Sequence, residues 1–302
     1  METGGMDDAI VETLAGGWLR RELRAGAEVL AVDAPSSTAA IALKGGHVLS
    51  FAPRGQPDLL YLSPRSPIAG PKPIRGGIPV CWPWFGPHPS RLDLPAHGVA
   101  RTATWALAGC AAIAESGGVS ITLRRVFTAA DAGIPLAAEL TLEIVVAATL
   151  SLSLSTRNTS PTPLVISEAL HTYFAVGDIA DVTIDGFDRA SYLDKTDAGR
   201  RKQHIGPLRL EGEVDRLFDR SPGAAVLTDT WLRRRVHITK SGSGASVVWN
   251  PGPGKVTQFA DLPAGDHRRF VCIESANAFD AIVTIQPGAT HRLETAYRIM
   301  PL

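Results

Sequence analysis

Residues 138–160 read AELTLEIVVAATLSLSLSTRNTS. Thr141, Glu143, Ser151, Ser153 and Ser155 alternate there with Leu142, Ile144, Leu150, Leu152 and Leu154. Successive side chains of a strand point to opposite faces, so a period of two demands strands with one buried face; no helix satisfies it. Ala147-Ala148-Thr149 is a turn that divides the segment into a hairpin. Short apolar or alternating runs bounded by Gly and Pro recur along the rest of the chain. They amount to roughly a dozen and a half strands with almost no amphipathic helix. Missing crossover helices argue against a parallel βαβ fold, and the pattern indicates a sandwich or barrel. The expected fold class is therefore all-β, one large antiparallel domain over residues 29–302, preceded by a weakly specified lead-in at 1–28. Residues 7–23 have the composition of a short helix interrupted by Gly16-Gly17. The polar stretch 193–219 reads as excursions outside the core.

The chain has 302 residues, 45% of them hydrophobic, which suffices for a large core. A formal net charge of zero gives no overall attraction to nucleic acid or to an anionic membrane. No apolar run reaches membrane-spanning length. Cys81, Cys110 and Cys272 are too few for a disulfide framework and lack zinc-site spacing. Asp7 and Asp8 and the absence of an apolar signal core fit a cytoplasmic protein. The eight histidines do not cluster as metal ligands, and no phosphate loop, HExxH or GxSxG pattern is present.

The segment Pro73–Arg101, PIRGGIPVCWPWFGPHPSRLDLPAHGVAR, fits neither regular element. Its prolines remove backbone donors, while Gly76 and Gly77 permit angles and close approaches that a side chain forbids. Long irregular segments are functional or disordered, and the aromatics Trp82, Trp84 and Phe85 argue for order. It is expected to line a polar pocket; the alternative is a surface crossover whose aromatics cap the core.

Three polar features stand out elsewhere. His171, in EALHTYF, shares the face of Tyr173; it is either a satisfied histidine or a proton carrier. Glu274 falls in the nearly all-apolar run FVCIES. Burying a carboxylate is costly without a partner, so it is either paired structurally or tuned as an acid or base. Arg75 and Arg101 either grip phosphate or carboxylate bidentately or form surface salt bridges.

The blocks RGGIPVCWPWFGP, LPAHGVAR, EALHTYFAVGDI, EVDRLF and FVCIESAN occur in that order. Together they resemble the hexose-6-phosphate mutarotases (glucose-6-phosphate 1-epimerases) of the galactose mutarotase-like, or aldose 1-epimerase, superfamily. The resemblance extends from about residue 30 to the C-terminus. It implies a large β-sandwich, the galactose mutarotase-like supersandwich, and interconversion of the α and β anomers of a hexose 6-phosphate without metal or other cofactor. It further implies His171 as catalytic acid and Glu274 as catalytic base. Arg75, His97, Arg101 and Asp215 would bind substrate, and Trp82, Trp84 and Phe85 suit an apolar sugar face, at least one of them having a core role instead. Ala96 stands where some members have glutamine and would line the site by its backbone alone. The implied partner is a small sugar phosphate, and the expected state is a monomer.

Two other classes use some of the same residues. A non-catalytic carbohydrate-binding sandwich needs the aromatics and arginines but not His171 with Glu274. A glycoside hydrolase needs two carboxylates, for which Asp215 or Glu168 would partner Glu274. An epimerase of unphosphorylated aldoses would lack a use for the arginine pair. The expected mutarotase geometry sets His171 and Glu274 on opposite sides of a sugar-sized space.

Overall fold

The computed structural model describes residues 9–219, 221 and 223–302. Strands dominate, arranged in a five-stranded sheet, two larger sheets and a two-stranded ribbon. Residues 137–158 form the expected hairpin: Ala137–Val146 pairs antiparallel with Thr149–Asn158, Leu150 opposite Val146. Leu142, Ile144, Leu150, Leu152 and Leu154 are buried, as the alternation requires.

The hairpin lies within an eight-stranded sheet. Its order is Val182–Asp185, Ala224–Asp229, Arg234–Ser241, Thr290–Pro301, Thr149–Asn158, Ala137–Val146, Gly118–Thr128 and Ala106–Ile113. Facing it is the sheet that carries the site. There Arg200–Gln203, Ser191–Asp194, Val214–Asp219, Ala245–Asn250, Phe270–Asn277, Glu168–Leu170 and Val80–Cys81 follow one another, and Tyr173–Ala175 also pairs with Phe270–Asn277. Hydroxyl contacts cross between the two sheets: Thr172 Oγ1 to Tyr297 Oη at 2.5 Å, and Ser275 Oγ to Thr295 Oγ1 at 3.2 Å.

The strand Phe270–Asn277 is buried along its whole length. Val271 and Ile273 enter the main core, whereas Phe270, Cys272 and Ala276 join a second apolar cluster with Tyr61, Tyr173 and Trp249 on the opposite face. A strand covered on both faces reads as a continuous apolar run. Period two then places Glu274 on the second face.

Two expectations are corrected. The first eight residues of the 1–28 lead-in lie outside the described residues, but the helix expected over 7–23 is replaced by strands Ala9–Leu14 and Leu19–Arg24. These extend the sheet through Ala27–Asp33, Ser37–Ala42 and His47–Pro53. Gly16 and Gly17, with φ of 66° and 95°, turn the chain back as a hairpin instead of interrupting a helix. The stretch 193–219 is not an excursion either. Val214–Asp219 is an interior strand of the site sheet, with Leu217 and Phe218 buried.

Candidate active site

Pro73–Arg101 is ordered and follows the edge of the site sheet. The Pro79 carbonyl accepts from His171 N at 3.0 Å, and Ser167 ties to Pro83 and Phe85 through backbone and hydroxyl. A Cβ on Gly76 or Gly77 would come within 2.4 or 2.3 Å of the carbonyl oxygens of Tyr61 and Val48. Gly98 is tighter still: at φ +71° its Cβ would lie 2.0 Å from the Trp82 carbonyl oxygen. That oxygen receives the N–H groups of Val99 and Ala100. Gly98→Ala is therefore expected to cost ~2–4 kcal/mol and to displace His97 and Arg101. Gly206→Ala, at φ +75° but with nothing within 4 Å, should cost ~1 kcal/mol. Denaturant midpoints of the two variants check this; equal losses would mean that the close approach at Gly98 is unimportant.

A cavity of about 570 Å³ opens on the outer face of the site sheet. It is lined by Arg75, Phe85, Ala96, His97, Arg101, His171, Asp215 and Glu274, which brings these sequence-predicted residues to one place. Trp82 and Trp84 are not there. Trp82 is fully buried against Phe127, ring centroids 5.0 Å apart, and Trp84 donates Nε1–H to the Pro95 carbonyl. Of the three expected sugar-face aromatics only Phe85 lines the cavity; the tryptophans hold the loop to the core. Glu168 is absent as well: it faces the sandwich interior, bonded to Asn277 and His291.

Sequence reasoning missed Tyr173, Trp249, Phe259, Lys195, Lys255 and Asp261, which also line the cavity. Trp249 was within reach, because it alternates with buried Val248 and pairs in register with both Asp215 and Cys272. Asp261 comes from a loop with no periodic signal.

His171 sits between the short strands Glu168–Leu170 and Tyr173–Ala175. Its ring stacks on Tyr173 at 4.9 Å and 12° between planes, and His97 meets it edge-on at 5.8 Å. His171 Nε2 is 3.2 Å from Glu274 Oε1. The pair is thus side by side and not separated by a sugar-sized gap. Glu274 Oε2 and His171 Nδ1 are buried with no hydrogen-bond partner among the described residues.

Burial pushes the Glu274 carboxyl well above the usual range, opposed by the Lys195 ammonium and reinforced by Asp215. Burial likewise holds the His171 imidazole well below its ordinary value, and the charges of His97, Arg101 and Arg75 act in the same sense. Geometry alone would suggest two full charges, yet desolvation disfavours both. Shifts in these opposite directions favour the neutral pair, with one proton between the two groups, over the doubly charged one.

Arg75 donates Nε–H to Asp261 at 3.1 Å and Nη1–H to the Tyr173 hydroxyl at 3.2 Å, and lies over the Phe259 ring. Arg101 donates Nη2–H to the Ala96 carbonyl at 2.5 Å, while its buried Nε has no partner among the described residues. His97 adopts φ 63° and is pushed down to about 3, chiefly by burial and then by Arg101. Asp215 stands 3.7 Å from Lys195 and is raised by burial.

Two other surface depressions are at least as large, about 610 and 750 Å³, but neither brings a histidine against a carboxylate. Among the described residues, no group of three His, Cys, Asp or Glu could hold a metal ion, and no helix is long and apolar enough to cross a membrane.

Residues 28–298 match the aldose 1-epimerase family. The chain belongs to the aldose 1-epimerase family. An Escherichia coli K12 relative named "Putative glucose-6-phosphate 1-epimerase" is 35% identical over 254 residues, 83% of each chain. A relative from Cenchrus ciliaris with the same printed name is 30% identical over 283 residues, 91% of this chain and 85% of its own. A crystal structure of "a putative mutarotase (YeaD)" from Salmonella typhimurium superposes with a TM-score of 0.91 at 29% identity, covering 98% of this chain and 97% of that one. This aldose 1-epimerase family member is a sugar-converting isomerase with a galactose mutarotase-like β fold.

Proposed function

We propose that the protein interconverts the α and β anomers of a hexose 6-phosphate, glucose 6-phosphate first among them, with His171 as acid and Glu274 as base. The observation that carries this reading is the buried contact between the two at 3.2 Å in the floor of a cavity rimmed by arginine and lysine.

Opening a cyclic hemiacetal removes the proton from the C1 hydroxyl and adds one to the ring oxygen. Both oxygens are attached to C1, so neighbouring groups serve them better than opposed ones. The side-by-side placement supports this reading. With the shared proton on His171, Glu274 accepts the hydroxyl proton, His171 Nε2 donates to the ring oxygen, and the C1–O5 bond breaks as the C1 carbonyl forms. The aldehyde turns about C1–C2, and closure on its other face reverses both transfers. The pair begins and ends with one proton, so no proton has to be exchanged with bulk water during turnover. Tyr173 holds the imidazole plane by stacking, and Asp215 with His97 offers polar contacts to sugar hydroxyls.

The two arginines divide the work between them. Arg75 is already engaged by Asp261, Tyr173 and Phe259, so it braces the wall that positions His171. Arg101 has donors to spare and is the better ligand for a phosphate dianion. A charge-assisted hydrogen bond contributes about 1.5–3 kcal/mol. Arg101→Ala should therefore lower exchange efficiency on glucose 6-phosphate by about tenfold to a hundredfold and barely change that on glucose. Arg75→Ala should impair both sugars. The test is the ratio of the two efficiencies, read by NMR in wild type and in each variant. A ratio unchanged in both variants removes the phosphate assignment and leaves an epimerase of unphosphorylated aldoses.

A further inference from the structure

Lys195 projects into the cavity from a short turn, Lys195–Asp197, between the strands Ser191–Asp194 and Arg200–Gln203. The turn is firmly held. Asp194 accepts from Thr196 N at 3.1 Å, from Thr196 Oγ1 at 2.6 Å and from Lys202 Nζ at 2.9 Å, while Lys202 also reaches Asp197 at 2.8 Å. The base of Lys195 is thus fixed by contacts in which its own ammonium takes no part.

That ammonium lies 3.7 Å from Asp215 Oδ1 and 5.2 Å from the centre of the Phe85 ring. Phe85 meets His97 edge-on at 4.9 Å, His97 meets His171 at 5.8 Å, and His171 touches Glu274. Lys195 therefore reaches from the hairpin after Ser191 to Phe85 in the loop Pro73–Arg101. It lines the same cavity as both carboxylates, Asp215 and Glu274.

We propose that Lys195 is a positioning residue of the epimerase reaction: it bridges Asp215 and Phe85 across the cavity and supplies the positive charge that balances Asp215 in front of Glu274. This rests on the proposed roles of His171 and Glu274. The charge balance around Glu274 supports it. His171 faces it from the adjoining strand break, Asp215 from Val214–Asp219, Cys272 from its own strand and Cys81 from Val80–Cys81. Tyr173, His97, Arg75 and Arg101 surround His171, while Lys255, paired with Glu213, and Asp261 also line the cavity. Of these charges Lys195 acts most strongly to keep Glu274 ionised, and Asp215 opposes it. Lys255 also acts on Asp215, but less strongly than Lys195.

The experiment is the pH profile of anomer exchange on glucose 6-phosphate and on glucose, for wild type, Lys195→Met and Lys195→Arg, with thermal midpoints measured alongside. Removing a positive charge makes protons bind more tightly to the pair. Both limbs of the Lys195→Met profile should thus move to higher pH, by roughly half to one unit, for both sugars. That is less than the shift of about 1–3 units for a direct opposite charge, because Lys195 is partly exposed and screened by water. Lys195→Arg should keep the wild-type limbs. Limbs that stay in place in Lys195→Met overturn the proposal. If KM then rises for glucose 6-phosphate alone, Lys195 is a phosphate ligand instead; if the thermal midpoint falls, it is only a structural strap. Absence of exchange on either sugar by the wild type would overturn the underlying reading of His171 and Glu274, and this proposal with it.

Discussion

Glu274→Gln should lower anomer exchange by about 10²–10⁴-fold while sugar binding persists, since that is the usual contribution of a positioned general acid or base. The amide keeps the size of the side chain and its carbonyl oxygen but cannot take up the hydroxyl proton. Glutamine also suits the site structurally, because burial already favours the uncharged form of Glu274. The variant should fold at least as stably as the wild type, so lost activity will not report lost structure. Exchange rates and binding, measured on the same preparation by NMR and calorimetry, separate the two. A Glu274→Gln protein with near wild-type exchange would remove the base assignment.

His171→Asn should cost about as much, again roughly 10²–10⁴-fold, because asparagine has no transferable proton at neutral pH. The wild-type pH profile should be a broad bell. The working state carries one proton on the His171–Glu274 pair. Adding a second requires the imidazolium and the carboxylic acid together; burial holds His171 well below 6.5, so the acid limb lies below that value. Losing the last proton requires a bare carboxylate beside neutral imidazole; burial holds Glu274 well above 4.5, so the alkaline limb lies above that value. Activity is thus full between the limbs, falls as pH drops through the first and falls again as it rises through the second. The limbs belong to the pair and not to either residue. A profile lacking both limbs contradicts this account.

The strands and the site were legible to different degrees, for physical reasons. Alternation revealed the hairpin of residues 137–158 because one of its faces is wet. The strand Phe270–Asn277 was legible as an apolar run, and the lone carboxylate within it marked Glu274 as unusual. The lead-in was misread because Gly16-Gly17 serves equally as a helix breaker and as a hairpin turn, and only the neighbouring strand Ala27–Asp33 decides between them. The stretch 193–219 was misread because its strands lie toward one edge of the site sheet, where the polar face of Val214–Asp219 borders the cavity. That misreading hid Lys195. For Trp82 and Trp84 the sequence left a sugar face and a core role open; their burial and the Trp84–Pro95 hydrogen bond belong to the loop's own anchoring. Asp261 and Phe259 reach the cavity from a loop whose position is set by tertiary bonds such as Ser63 Oγ to the Asp261 carbonyl, which leave no mark on local sequence.

The central claim is that the His171–Glu274 pair opens and closes a hexose 6-phosphate ring. NMR exchange between the α and β anomers of glucose 6-phosphate at neutral pH, with no protein, with wild type and with Glu274→Gln, tests it most directly. The account predicts exchange accelerated by catalytic amounts of wild type and returned close to the uncatalysed rate by the substitution. An uncatalysed rate in the presence of wild type, or equal acceleration by wild type and Glu274→Gln, would contradict it.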